Sequence, residues 1–453
     1  MSAEITAAGS TQALEYAQFA VDAALRSGAT QAEATVSVND RFSTEARDRA
    51  VTKLEQSTGR SLHLRVFVDG RKATLATSDF NRDHLGEAIT TAVLQARHVA
   101  SDPYAALPER ASGVTGDDRD LDLFSQDVAH REAQAKIDEA LELESRIRAL
   151  DPRITNSNGA HVGDTVSTTA LANSNGFAGA YRSTRVHRSV SPVALDGQAK
   201  RTGSYGTAAR RLFDMEDALT VAKKAVERTV MLFGGRKPQT MRVPVIFERD
   251  VAGSVLSDVF SALSASNVAI GNSWLAERVG SRIGSDLVSI VDDGTMPGLL
   301  GSSPFDGEGV PTQRTVIFER GTLRTFLYDT YYARKLGARS TGNGSGGGVA
   351  PNNLYLEPGQ QSLEAIIAST PRGILVMDTI GFATEHASGT YSRGARGLYI
   401  QDGEIAYPVE EFTIAGTFPE MLAGIDAVAN DLRFDAGVVS PSFRVAEMTV
   451  SGD

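Results

Sequence analysis

The chain has 453 residues, with 45 basic and 56 acidic side chains, a formal net charge of −11 and no cysteine. Without cysteine there is no disulfide framework, iron–sulfur cluster, thiolate nucleophile or sulfur-ligated zinc, so a metal would have to find His, Asp or Glu. The length allows two or three units with cores of their own, and the acidic balance argues against direct nucleic-acid binding or an anionic lipid surface.

In chain order, the Met1–Ser10 segment lacks a basic region followed by an apolar run, so it does not read as a signal peptide. Leu14, Ala17, Val21, Ala24 and Leu25 then recur at helical spacing, with Gly28 where a left-handed C′ residue belongs. Ala32–Val38 and Leu62–Val68 alternate as half-buried strands, and Asp69-Gly70 supplies a hairpin turn into Lys72–Ser78. A second helix carries Leu85, Ile89, Ala92 and Val99, and Ser101–Asp118 reads as a surface loop. The periodicity then predicts one long helix over Val128–Leu150, stopped by Asp151-Pro152. The Thr- and Val-rich stretch from Ile154 to Gly203 predicts strands turning at Asn158-Gly159 and Asn175-Gly176. Another helix is expected to be capped by Asp214 and to end at Gly234-Gly235.

These patterns predict an α+β fold in two domains. Residues 1–235 form an N-terminal α/β sandwich-like region with antiparallel strands, and residues 236–453 a β-rich, barrel-like C-terminal domain. The second opens with a strand at Val243–Phe247 and a helix at Asp250–Ser266, whose inward stripe is Val251, Val255, Val259 and Leu263. No run approaches the ~18 apolar residues of a membrane span, so a cytoplasmic protein that keeps clear of membranes is expected.

The seven histidines form no close pair, and His63 and His187 sit among polar neighbours and read as solvated. The run Gly342–Gly348 contains GxGxxG, but Ala350-Pro351-Asn352-Asn353 follows where a dinucleotide site needs a helix, so it reads as a mobile loop. The doublets Asp292-Asp293 and Glu410-Glu411 read as solvated edges or turns, because neighbours on a strand face opposite ways.

Four segments are more specific: Val291–Thr295 (VDDGT), Gly301–Val310 (GSSPFDGEGV), Pro351–Gly359 (PNNLYLEPG), and Ser388–Gly397 (SGTYSRGARG) continuing through Gly403–Glu411 to Thr413–Gly416. With Asn430-Asp431 and Met448–Gly452, they make the chain resemble the TldD/PmbA family, also labelled modulators of DNA gyrase. In the family's TldD branch a helix carries His-Glu-x-x-x-His, with both histidines on zinc, the Glu as general base, and a later Cys completing the shell. The corresponding helix here reads Ser257-Asp258-Val259-Phe260-Ser261-Ala262. Ser257 and Ala262 stand at the ligand positions, and Asp258 keeps only a shortened carboxylate.

The resemblance therefore implies the TldE/PmbA-like branch. Such a subunit lacks the zinc ligands and is non-catalytic by itself, with no cofactor of its own. It pairs with a TldD-like zinc peptidase subunit, or self-associates as a dimer, to process unfolded peptides. Asn343, Gly344, Tyr391 and Arg393 are its expected peptide contacts, since extended peptides bind through strand edges and pockets. Two alternatives stay open: a peptide-binding homodimeric scaffold without a peptidase partner, and an autonomous hydrolase with a relocated site at His386, Glu385 and Asp378.

Overall fold

A computed structural model describes residues 8–109, 120–381 and 384–452; most of the tail expected before the first helix, and the end of the loop expected over Ser101–Asp118, lie outside them. The first part comprises α1 (Ala8–Arg26), β1 (Gln31–Arg47), β2 (Ala50–Val68), β3 (Arg71–Thr77), α2 (Arg82–Ala96), α3 (Gln126–Ala129), α4 (Ala133–Leu150), β4 (Ile154–Asn173), β5 (Ala178–Asp196), β6 (Ala199–Thr202), β7 (Tyr205–Ala209) and α5 (Ala218–Val230). Its strands form one antiparallel sheet in the order β3-β2-β1-β4-β5-β6, with β7 also on β5. Alternation explains the packing: Ala32, Ala34 and Val36 of β1 and Leu62, Leu64 and Val66 of β2 share one face, which buries against Ala17, Ala20 and Ala24 of α1 and Leu85, Ile89 and Val93 of α2. Small residues on α1 let that helix lie close to the sheet, and each fully buried Leu, Ile or Val adds about 1.5–3 kcal/mol.

Several local expectations are corrected. The long helix breaks at His130–Glu132, where Arg131 turns aside to pair with Glu139 of α4. Asn158-Gly159 is no turn; it sits inside β4 at a register shift, whereas Asn175-Gly176 does join β4 to β5. Asp217 caps α5 through the amides of Leu219 and Thr220, while Asp214 closes a single 3-10 turn. His187 is half-buried rather than solvated, and burial lowers its pKa.

The second part comprises β8 (Met241–Phe247), α6 (Arg249–Leu263), α7 (Ala265–Ala269), β9 (Ile290–Asp293), β10 (Arg314–Glu319), β11 (Thr322–Leu323), α8 (Thr330–Leu336), β12 (Leu354–Leu356), α9 (Leu363–Ala368), β13 (Arg372–Ile380), β14 (Thr384–Glu385), β15 (Thr390–Gln401), β16 (Glu404–Thr417), α10 (Phe418–Gly424), β17 (Ile425–Val428), β18 (Val438–Val439) and β19 (Phe443–Ser451). Strands β13-β8-β19-β16-β15 close on themselves through β13–β15 pairing, giving a five-stranded barrel beside a second sheet, β11-β10-β9-β12-β18. The fold is thus α+β with an antiparallel sheet first and a barrel after it. Phe247, Val259, Tyr391, Phe412, Phe418 and Phe443 are among the residues filling one large core there.

The parts are joined by buried charge. Arg65 of β2 donates to Glu33 of β1 at 2.6 Å and to Glu308 at 3.0 Å. Glu308 also accepts the Thr330 amide at 2.8 Å, and beside it Asp306 accepts the amides of Glu308, Val310 and Gly344. Burial, with the nearby Glu308 charge, raises Asp306 to about 8; burial outweighs Arg65 and raises Glu33 to about 7; burial also raises Asp329, which caps α8, to about 6.

These carboxyls hold protons more tightly folded than unfolded. The stability they confer is complete below about pH 4 and is lost as pH rises through 6 to 8. The melting temperature is expected to fall between pH 5.5 and pH 8.5, and Glu33→Gln with Asp306→Asn should flatten that slope in calorimetry.

Candidate functional site

Helix α6 carries the positions that the family resemblance singles out. Glu248 caps it through the Asp250 amide at 3.0 Å, and its stripe of Val251, Val255, Val259 and Leu263 is buried as the periodicity requires. Ser257 and Ala262 are five apart, as the family's two histidines are, but lie in different surroundings. Ser257 is exposed and lines a cleft of about 250 Å³ with Arg249, Asp435 and Ser440. Ala262 is wholly buried in the barrel-side core. Asp258 lies between them and is ion-paired with Arg393 of β15 at 2.7 Å, both side chains being largely shielded from water.

These residues do not fit a zinc ion. One ligand position is an exposed hydroxyl and the other a core methyl, and the carboxylate is held by a guanidinium. Among the described residues no group of three or more His, Asp or Glu side chains could hold a metal.

Beside this helix is the larger cavity, about 810 Å³, between the two parts of the chain. One wall is Thr202–Gly206 with Ser189 and Ser191; the other is Asp250, Val251 and Ser254 of α6, Met377–Thr379 of β13, and Arg393 and Arg396 of β15. Its charged groups are paired: Arg228 with Glu248 and with Asp250, each at 2.7 Å, and Arg396 with Asp378. Burial raises Glu248 to about 7, with Asp250 adding to the effect. The Tyr205 hydroxyl collects donors from Lys224, Arg249 and Arg433, tying α5 and α6 together at the cavity rim.

The four expected peptide contacts are not brought together. Arg393 reaches the large cavity. Tyr391 packs inside the core between Phe247 and Phe418, with ring centroids at 6.3 and 5.6 Å; burial raises its pKa. Asn343 and Gly344 line a separate pocket of about 220 Å³ against Thr35 and Thr169 of the first sheet. The stretch Gly342–Gly348 is pinned at its first three residues, while Ser345–Gly347 are exposed. Asn343 donates to Asp292 at 2.8 Å and Gly344 to Asp306 at 2.7 Å, and Gly342 has φ +70° where a Cβ would lie 2.5 Å from the Pro311 carbonyl.

That pinning explains the specific motifs. Asp292 accepts the Asn352 amide at 2.7 Å and the side chains of Asn343 and Asn352, while Asn353 bridges the Asp293 carbonyl, Ser302 and the Gly301 amide. Both acids of the doublet are therefore buried, not at a solvated edge, and burial lifts Asp292 to about 6 despite three hydrogen bonds. Of the second doublet, Glu410 pairs with Arg201, while Glu411 stays exposed beside Lys237. The grouping of His386, Glu385 and Asp378 does not form: Asp378 is held by Arg396, Glu385 accepts from Ser388, and the buried His386 Nδ1 has no hydrogen-bond partner among the described residues.

Three profiles of the PmbA/TldA metallopeptidases match consecutive segments: domain 1 over residues 32–100, the central domain over 127–233 and the C-terminal domain over 240–452. The chain belongs to the PmbA/TldD metallopeptidase family. It is 31% identical to a metalloprotease PmbA homologue of Haemophilus influenzae, over 96% of this chain and 95% of that protein. A crystal structure from Bacteroides thetaiotaomicron, described as a modulator of DNA gyrase, superimposes with a TM-score of 0.91 at 28% identity, covering 97% of this chain and 98% of that one. TldE from Thermococcus kodakarensis shares the fold, with a TM-score of 0.86 at 21% identity, over 96% of this chain and all of that one (100%). No described helix is long and apolar enough to cross a membrane.

Installing Ser257→His, Asp258→Glu and Ala262→His together is expected to give no stoichiometric zinc by elemental analysis after gel filtration. The cysteine that completes the family's zinc shell is absent from this chain, and Ala262→His alone should cost about 1–3 kcal/mol in urea unfolding by overfilling the core.

Proposed function

We propose that this chain is the non-catalytic, TldE/PmbA-type subunit of a two-component peptidase. A TldD-like partner supplies the zinc and the general base, and this chain supplies part of the chamber that holds an unfolded peptide. The observation that carries the reading is the Asp258–Arg393 ion pair. The carboxylate standing at the general-base position is neutralised by a guanidinium, with no ligand pair beside it to activate a water. A general base needs a lone pair directed at water, and here it is directed at Arg393.

In this reading the cavity of about 810 Å³ takes an extended peptide backbone between Thr202–Gly206 and the ends of β13 and β15, with Arg393 and Arg396 at its wall. Ser, Thr, Asn and Gly make up half of the lining residues, which suits recognition of main chain rather than one side-chain type. The H. influenzae relative is named a metalloprotease and the T. kodakarensis neighbour is named TldE; both names agree with a place in such an assembly.

The test is native mass spectrometry of the chain co-expressed with a TldD-like subunit from the same cell. A complex of equal stoichiometry whose zinc leaves with the partner is expected, and zinc retained by this chain overturns the reading. In that complex Asp258→Asn should leave kcat/KM for an unfolded peptide within about twofold, whereas removing a true general base typically costs 10²–10⁴.

A further inference from the structure

The first sheet has a long unpaired edge. Strand β3 covers β2 from Leu62 to Val68, but from Ala50 to Arg60 β2 bonds only to β1 on its inner side, and each of these eleven residues is exposed. At ~3.3 Å per residue this is roughly 36 Å of bare edge. It carries no proline, and its apolar residues Val51 and Leu54 are 39% and 54% exposed. Natural edges of this kind are either blunted or used.

We propose that this edge is a self-association surface on which a second copy of the chain pairs antiparallel about a two-fold axis at Leu54. In such a pair, residues equally far before and after the axis face one another. The edge holds three charges, Lys53, Glu55 and Arg60. Side chains alternate between faces, so a perpendicular two-fold must pass through a residue. The register centred on Leu54 is the one that sets opposite charges against each other. Lys53 meets Glu55 of the second copy, and by symmetry Glu55 meets its Lys53. The two already share a face, with Nζ and Oε1 3.0 Å apart and both side chains more than half exposed. On the opposite face the two exposed leucines meet at the axis. The register shift that leaves Thr52 outside the β1 ladder limits how far the new ladder extends, so the pair is reversible rather than obligate. This surface shares no lining residue with the large cavity, and the proposal stands independently of the zinc-partner reading.

Sedimentation equilibrium of the full chain alone, over about a hundredfold range of concentration, tests it. Wild type is expected to dimerise reversibly. Lys53→Glu or Glu55→Lys turns both cross-strand pairs repulsive and should weaken the dimer about tenfold or more. Lys53→Glu mixed with Glu55→Lys should restore association, because each copy then complements the other, and the double variant K53E/E55K should return to within about threefold of wild type. Exposed positions keep these variants folded, which circular dichroism checks. A wild type that stays monomeric, a dimer indifferent to the reversals, or reversals that affect only binding to a TldD-like subunit would each overturn the proposal.

Discussion

The tertiary structure turns on one guanidinium surrounded by more carboxylate than it can neutralise. Arg65 leaves the first sheet to hold Glu33 beside it and Glu308 from the second part, with Asp306 and Asp329 close by. Breaking a buried pair strands a charge, which is costly even where forming the pair gains little. The cluster therefore fixes where the second part sits on the sheet more than it adds net stability. Because Glu308 also receives the Thr330 amide that opens α8, and Asp306 the amide of Gly344, that position passes directly into the glycine-rich segment and the asparagine knot around Asp292.

The large cavity is the consequence on the other side of the same junction. Its walls come from β5–β7 and from α6, β13 and β15, so its width depends on the relative placement of the two parts. Tyr205, Glu216, Arg249 and Arg433 brace it at one rim, where a buried hydroxyl and a carboxylate balance several cations. Helix α6 contributes one wall here. Of its polar residues, Ser257 is exposed, Asp258 is held in an ion pair and Ser254 faces the cavity.

Within-element features were legible because they depend on neighbours in sequence. The stripe of α6, the alternation of β1 and β2, the hairpin turn at Asp69-Gly70, and the loss of donors at Ser257 and Ala262 could all be read from residue type and spacing. Errors arose where a distant partner changed the local preference. Gly159 sits at a register shift against β5 instead of in a turn, and Asn343 and Gly344 are held by acids from another segment. Tyr391, expected as a peptide contact, has its ring in the barrel core.

The sequence by itself determined the class of elements, the family resemblance and the absence of a zinc donor set, since each follows from side-chain chemistry at fixed spacing. Only the tertiary structure decided that Asp292, Asp306 and Glu33 are buried, that Arg393 closes on Asp258, and that β2 begins with a bare edge. Those outcomes rest on contacts between residues far apart in the chain, up to 243 positions for Arg65 and Glu308. Burial and charge pairing are properties of that closure, and no local pattern encodes them.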